Sequence, residues 1–516
     1  MDASNSDIGP DPSLALALQQ RLGEETGQRV ELIETPISWV LLTERLVYKL
    51  KKPVRRPFLD FSTAALRKHF CEEELRLNRR LAPSLYLGVL PVRGTVAAPR
   101  LGGGGPEIDH VVAMRRFAKG ALFSELLAAG GLEPAHVDAL ARRIADFHRD
   151  AQLVPLPAGA QADAADPVLD ILRQLEEGAY PGETGALRAW VHEQAALLRD
   201  TWNFRLRSGL VRECHGDLHL GNVALVDGMP TAFDRLEFNE SLRWTDVMSD
   251  VAFLTMDLKS RGRNDLAFRF LDVYLQHTGD YAGVAVLRFF EVYRALVRTL
   301  VEVGNDGPRR GALPSQAEAY FGLAVRLTRP DRAAARILIT HGVSGSGKSS
   351  VAARLVEQQG AVRVRSDVER KRLFGLDPLQ RSSGQPFDIY TEDATRQTFE
   401  RMAEAARVAV RSGYPVIVDA AFLRHAQRHL FRELADELGV PFSILHCHAD
   451  PVLLRARLHA REQAGDDPSE ADDAVVERQR TFREPLRDEE LPLVIDVCTD
   501  APVDAKVLHA RCLAVA

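Results

Sequence analysis

Cysteine is scarce and unpatterned: Cys71, Cys214, Cys447, Cys498 and Cys512 are scattered over 516 residues with no C-x-x-C pair. An odd, sparse set argues against a disulfide framework and for free thiols in a reducing compartment. No apolar run reaches the length of about 18 residues that a membrane-spanning helix requires. The stretch M-D-A-S-N-S-D-I-G-P-D-P-S has neither a basic n-region nor an apolar h-region. A cytoplasmic chain with no membrane partner is the expectation. A large excess of one charge sign is missing too, with 66 Lys+Arg against 72 Asp+Glu and a net charge of −6. That balance makes no electrostatic case for nucleic-acid binding. The chain contains no internal repeat.

What is present is enough apolar sequence, 46%, to build more than one core. Length alone predicts two or three domains. Three short β-branched and apolar runs, 30–34, 38–42 and 46–51, read as strands, with Glu44-Arg45 at the turn between the last two. A helix is expected over 64–81, with Leu66, Phe70, Leu75 and Leu77 among its apolar positions. Further strands are expected at 85–92 and 110–117, separated by a flexible 102–105 glycine tract. Helical periodicity then takes over at 134–149, 168–177 and 184–208. After a motif-bearing stretch at 211–238 it continues to about 327. Pro330 in T-R-P-D-R marks the best boundary, giving domains 1–328 and 335–516. Beyond it, strands at 337–340, 362–365, 416–419, 442–446 and 493–497 alternate with helices. That alternation predicts a parallel α/β sheet covered on both faces.

The second domain opens with I-L-I-T-H-G-V-S-G-S-G-K-S-S, a G-x-x-x-x-G-K-S loop between a strand and a helix. Gly342, Gly345 and Gly347 let the backbone turn its N–H groups toward phosphate oxygens, at a helix N-terminus that favours negative charge. Lys348 is placed to neutralise the β- and γ-phosphates, Ser349 to ligate Mg²⁺, and Ser350 to extend the cradle. Asp367 and Asp419 close two successive strands, where the ligand crevice of an open parallel sheet lies. Asp419 is the candidate Mg²⁺ carboxylate, directly or through water. Asp367 is the candidate base for an acceptor hydroxyl, with Arg370 beside it for phosphate. Each Asp also suits a plain helix N-cap. Arg457 and Arg461, four apart on a helix starting at Asp450-Pro451, present one face before the polar run 464–473. They suit a lid that closes on the transferring phosphate.

The first domain carries E-C-H-G-D-L-H-L-G-N-V. Asp217 and Asn222 stand five apart, the spacing at which one carboxylate meets an acceptor hydroxyl while an amide oxygen reaches a metal. A hairpin with an Asp227-Gly228 turn then delivers Asp234, twelve residues after Asn222. Lys49 on the third strand is the candidate phosphate lysine. Its partner is a carboxylate of the next helix, Glu74 or Glu73, and the choice stays open. Asp246 and Asp250, four apart, are read as structural residues on one helix. His215 is read as a loop-orienting hydrogen-bonding residue, since no Cys or third His stands at zinc-ligand spacing. The first turn, E-T-P-I-S, lacks any glycine to bring amides close to phosphate.

S-D-x-x-R-K, D-A-A-F and R-L-x-x-R make residues 336–516 resemble the small P-loop kinases, a group that spans polynucleotide 5′-hydroxyl kinases, chloramphenicol phosphotransferase, gluconate kinases and zeta toxins. The resemblance implies Asp367 as base and Arg457 and Arg461 as lid residues. The H-G-D-x-x-x-x-N series with Lys49 and Asp234 resembles the aminoglycoside phosphotransferase family, whose fold is the α+β, bilobal fold of protein kinases. More closely, E-T-P-I-S-W-V-L-L, V-Y-K-L-K-K-P-V and F-L-D-F look like a bacterial branch often fused to a P-loop kinase. This covers 14–327 and implies Asp217 as base, Asn222 and Asp234 as Mg²⁺ ligands, and Lys49 with ATP phosphate. The expectation is a bifunctional ATP- and Mg²⁺-dependent phosphotransferase acting on small-molecule hydroxyls. Its rivals are a nucleotide-binding regulatory first half, and a toxin-like or nucleic-acid 5′-hydroxyl kinase in the second.

Overall fold

The computed structural model describes residues 10–56, 59–155, 162, 164–305, 314–329, 334–465 and 467–515. The boundary residue Pro330 and its followers Asp331 and Arg332 lie outside these, as do residues 1–9 of the polar stretch that opens the sequence. The chain divides into two compact units, 1–140 with 150–160 and 205–250, and 141–149 with 161–204 and 251–516. Among the described residues no helix is long and apolar enough to cross a membrane.

The first unit is built on an antiparallel sheet. Its strands are β1 (Glu31–Glu34), β2 (Ser38–Leu42), β3 (Leu46–Lys51), a short pair β4 (Arg55–Arg56) and β5 (Leu59–Asp60), β6 (Tyr86–Thr95), β7 (Ala98–Leu101) and β8 (Glu107–Arg115). The large sheet runs β1-β2-β3-β8-β6-β7. Period-two alternation sorts β2 and β3 onto two faces. Trp39, Leu41, Tyr48 and Leu50 pack under the helix Ser13–Thr26, against Ala15, Leu18 and Leu22. Val40, Leu42 and Val47 join the opposite cluster with Cys71 and Leu75 of the helix Ala64–Asn78. Lys49 follows Val47 by two, so it too projects toward that helix. The helix Ser13–Thr26 has no counterpart among the elements expected from sequence. Its apolar face is only three residues wide, and Gly27 ends it in the left-handed region at φ 67°.

Strand β6 continues past the expected 92 into a hairpin with β7, because Gly94 takes φ 102° where a side chain would meet the Ala98 carbonyl. The helix expected to reach 81 stops at Asn78. Further on, β9 (Val211–Glu213) pairs with β12 (Trp244–Asp246), and β10 (Val223–Val226) with β11 (Met229–Ala232) forms the expected hairpin. Asp246 therefore ends a strand and does not share a helix with Asp250. Its carboxylate is drawn there by Arg205, with Nε–Oδ2 2.6 Å and Nη2–Oδ1 2.7 Å.

In the second unit the helices Asn264–Thr278, Val284–Asn305 and Ser315–Leu327 precede five parallel strands. These are β13 (Ile337–His341), β14 (Val362–Arg365), β15 (Val416–Asp419), β16 (Phe442–His448) and β17 (Val494–Cys498). The sheet order β14-β15-β13-β16-β17 makes this a P-loop α/β fold with β13 at its centre. The order reverses beside β13, and ligand crevices form at such switch points.

The Arg205–Asp246 pair is buried on both sides, with side-chain exposures of 0% and 6%. Asp246→Ala removes two buried charge-assisted hydrogen bonds from Arg205, which costs on the order of 3–5 kcal/mol. Chemical denaturation should show this loss, and an Asp246→Ala variant as stable as the parent would refute the assignment.

Candidate active sites

The first constellation assembles within the first unit around β3. Lys49 Nζ lies 3.0 Å from Glu74 Oε1 and 2.5 Å from Asp234 Oδ1. Geometry thus selects Glu74, while Glu73 pairs with Arg76 at the surface. Burial alone would lower the Lys49 pKa, but Asp234, Glu74 and Glu237 outweigh it and hold the ammonium well above its usual range. Asp234 takes φ 62°, a left-handed conformation rarely adopted outside glycine, and its N–H donates to Tyr86 Oη at 3.2 Å. Asn222 Nδ2 donates to Asp217 Oδ2 at 2.9 Å and to the Asp217 carbonyl at 3.0 Å. That orientation turns the Asn222 amide oxygen away from Asp217, where a metal can use it.

Buried hydrogen bonds hold this loop. Asp250 accepts from the N–H groups of His215 (2.6 Å) and Gly216 (2.8 Å). His215 Nε2 meets the Phe233 carbonyl at 3.0 Å, and Nδ1 faces the Asp217 N–H at 3.3 Å. The two contacts define the tautomer with the proton on Nε2. Two supporting residues escape a reading of the sequence. Arg235 donates to the carbonyls of Leu77, Glu213 and Cys214, tying the loop to the helix Ala64–Asn78. Lys51, two residues beyond Lys49 on the same face, bonds Glu74 Oε2 at 2.6 Å and also Glu237. The spacing K-L-K is the available signal, because strand residues two apart share a face. In the glycine-free turn, Thr35 N–H donates to the Ser38 carbonyl and Ser38 N–H to Thr35 Oγ1, both at 2.9 Å.

The second constellation surrounds one cavity of about 850 Å³ in the second unit. Gly345, Gly347, Lys348, Ser349, Ser350, Asp367, Arg370, Asp419, Arg457 and Arg461 all line it. Gly342 does not: it sits beneath the loop at φ 140°, where a methyl group would overlap the Cys447 carbonyl. Lys348 Nζ donates to the Val343 carbonyl at 2.7 Å, and burial lowers its pKa. Asp419 Oδ2 and Ser346 Oγ are buried without a hydrogen-bond partner. Ser346 lies outside the cavity lining, whereas the Asp419 oxygen, on the cavity wall beside the Lys348 loop, fits a hard cation.

The expected lid arginines are already engaged. Arg457 donates to Thr499 Oγ1 (2.9 Å) and its carbonyl (2.6 Å), and Arg461 to the Ala471 carbonyl (2.5 Å). Arg370 donates to the Ile389 carbonyl and Thr395 Oγ1, and its guanidinium lies against the Tyr390 ring. Residues outside the sequence motifs complete the wall. Gln479 accepts from the Ser344 N–H at 2.8 Å, and Arg365 reaches Asp467 at 3.1 Å. Arg365 ends the expected strand 362–365, just before S-D-x-x-R-K, whereas Gln479 has no local signal and only the folded chain brings it in.

A model of the phosphotransferase enzyme family matches residues 43–290, and an AAA domain model matches residues 337–486. An uncharacterized protein of Mycobacterium tuberculosis (strain H37Rv) is 30% identical over 448 residues, covering 85% of this chain and 87% of that protein. A Mycobacterium bovis protein matches to the same extent. The chain belongs to their family. It is a phosphotransferase enzyme with two kinase-type domains, the first kinase-like in fold and the second of the P-loop type. Among solved structures, a choline/ethanolamine kinase family protein from Mesorhizobium loti is 14% identical, covering 62% of this chain and 96% of its own, with a TM-score of 0.37. A gluconokinase from Sinorhizobium meliloti is 24% identical, covering 36% and 91%, with a TM-score of 0.26.

Burial lowers the His215 pKa from 6.5 to about 4. Between those values the unfolded chain takes up a proton that the folded loop refuses. The stability His215 contributes is therefore complete above pH 6.5 and is lost as pH falls toward 4, a change of roughly 3 kcal/mol. Urea unfolding at about pH 7 and about pH 5 should show a smaller acid loss in His215→Gln than in the parent. Equal losses would exclude the buried neutral imidazole.

Proposed function

We propose that the chain is a bifunctional ATP- and Mg²⁺-dependent phosphotransferase, with domains 1–328 and 335–516 each phosphorylating a hydroxyl of a small molecule. The observation that carries this reading is the shared cavity. Lys348, Ser349 and Asp419, whose Oδ2 accepts no hydrogen bond, line it together with Asp367 and Arg370. Groups suited to the phosphate donor and groups suited to the acceptor thus meet one space, as phosphoryl transfer by positioning requires.

At this site Lys348 exchanges its bond to the Val343 carbonyl for the β- and γ-phosphates. Ser349 and Asp419 would hold Mg²⁺, which when bound offsets the charge on those phosphates. Asp367 accepts the proton of the attacking hydroxyl. Arg457 and Arg461 lie near the developing charge, and Arg370 anchors the acceptor side. At the first site Asp217 is the base, Lys49 takes phosphate, and Asn222 with Asp234 would hold the metal. The five cysteines form no disulfide, which suits a reducing cytoplasm.

One observation favours a second reading of the first site, as a nucleotide-responsive regulator. Its turn amides at Thr35 and Ser38 are already bonded within the turn, so they offer phosphate less than a glycine loop does.

Phosphoryl transfer from ATP across a library of hydroxyl compounds tests both readings. Lys348→Ala should abolish one set of products, lowering turnover by roughly 100-fold or more, and Asp217→Ala a different set. If neither substitution lowers any product, the two-site reading fails. If Asp217→Ala changes only the rate of the Lys348-dependent reaction, the first site is regulatory.

A further inference from the structure

The helix Asn264–Thr278 lies within the stretch matched by the phosphotransferase family model, yet it packs on strand β14 of the P-loop half, in the same compact unit. Strand β14 reads V-R-V-R. Arg363 and Arg365 are two apart, so both point to one face, and Arg365 pairs in register with Asp419 on β15.

Arg363 is gripped from the helix by Asp272, with Nη2–Oδ2 2.6 Å and Nε–Oδ1 3.2 Å. Its Nη1 donates to the carbonyl of Ser349 at 3.0 Å and stops 3.9 Å short of Asp419 Oδ2. Asp272 also accepts from Gln276 Nε2 at 2.8 Å, which turns the Gln276 oxygen toward Arg365 Nη1 at 3.4 Å. Arg365 Nη2 is held by Asp467, leaving its Nε 3.5 Å from Asp419 Oδ2. Two guanidiniums, the buried Arg363 and the partly buried Arg365, therefore stand within 4 Å of Asp419 Oδ2, and neither hydrogen-bonds to it. A bare arginine beside a buried carboxylate closes to a charge-assisted pair. Arg363 is turned elsewhere by the fork of Asp272 and the Ser349 carbonyl, and Arg365 by Asp467 and Gln276.

We propose that Asp272 is a positioning residue for the P-loop site: by holding Arg363 back from Asp419, it keeps the Asp419 carboxylate available for the divalent metal of the nucleotide. This rests on the reading of Asp419 as that metal's ligand. It makes the second site dependent on a side chain from the segment matched by the first family. Without Asp272, Arg363 needs to move only a short way to occupy Asp419 itself.

The test uses the full-length chain carrying Asp234→Asn, which silences the metal carboxylate of the first site. Mn²⁺ is titrated in the presence of ADP, and free Mn²⁺ is read by electron paramagnetic resonance. Asp272→Asn should weaken Mn²⁺ binding roughly 10-fold or more. Asp272→Glu, which keeps the charge, should weaken it less. The double variant Asp272→Asn/Arg363→Gln should recover most of the parent affinity, because the competing cation is gone. A purely structural role for Asp272 predicts no recovery, and a double variant as weak as the single one overturns the proposal. So does Asp272→Asn with unchanged affinity. Should Asp272→Asn fail to fold, Arg363→Gln alone decides: it should bind Mn²⁺ at least as tightly as the parent, and weaker binding counts against the idea. Asp419→Asn separates the two levels. If it titrates like the parent, the metal assignment fails; if it loses Mn²⁺ while Asp272→Asn does not, only the role of Asp272 fails.

Discussion

Lys49 and Lys51 leave the same face of one strand and converge on one carboxylate, Glu74, which is fully buried. A charge so deep in the protein is tolerated only when opposite charges and hydrogen bonds surround it. Glu74 meets two ammonium groups, and their pull overcomes the effect of burial and lowers its pKa. Glu237 meets mainly Lys51 and has carboxylates for neighbours, so burial wins and raises its pKa. This compact set of alternating charges determines where the helix Ala64–Asn78 sits, where the D-R-L-E segment returns, and hence where Asp234 stands.

The P-loop half solves the same problem with arginine. Planar guanidiniums can be held at two points at once, and Asp272 uses that property on Arg363. The consequence is an oxygen on Asp419 that is buried, close to positive charge and unclaimed. A phosphate site of the kind proposed for each half requires such oxygens and ammonium groups to be held ready before nucleotide arrives, which is how electrostatic preorganisation lowers reorganisation during transfer. The two halves differ in readiness. Lys49 rests on Asp234 and Lys348 on a backbone carbonyl, so in the proposed roles only the first lysine has a charged partner to exchange.

The catalytic-loop spacing, the hairpin to Asp234, the G-x-x-x-x-G-K-S loop and four of the five parallel strands to within a residue are legible because each depends on local chemistry. Glycine conformations, turn residues and apolar periodicity act over a few positions. The family resemblances rest on those same short motifs, and the matches at 43–290 and 337–486 agree with them. Where local signals are weak or split, the sequence misleads. The helix Ser13–Thr26 buries only Ala15, Leu18 and Leu22, too narrow a stripe to stand out. The four-residue spacing of Asp246 and Asp250 fits a helix, whereas Asp246 closes β12.

By itself the sequence determined the fold class of each half, and it singled out the G-x-x-x-x-G-K-S loop and the candidate bases, since those follow from residue types at fixed short separations. Only the tertiary structure decided that Glu74 and not Glu73 meets Lys49, that Lys51 is a buried member of the same cluster, and that Asp272 grips Arg363 from 91 positions away in the chain. The physical reason is that charges are paired by distance in space, and no spacing along the chain encodes which distant carboxylate a buried cation will reach.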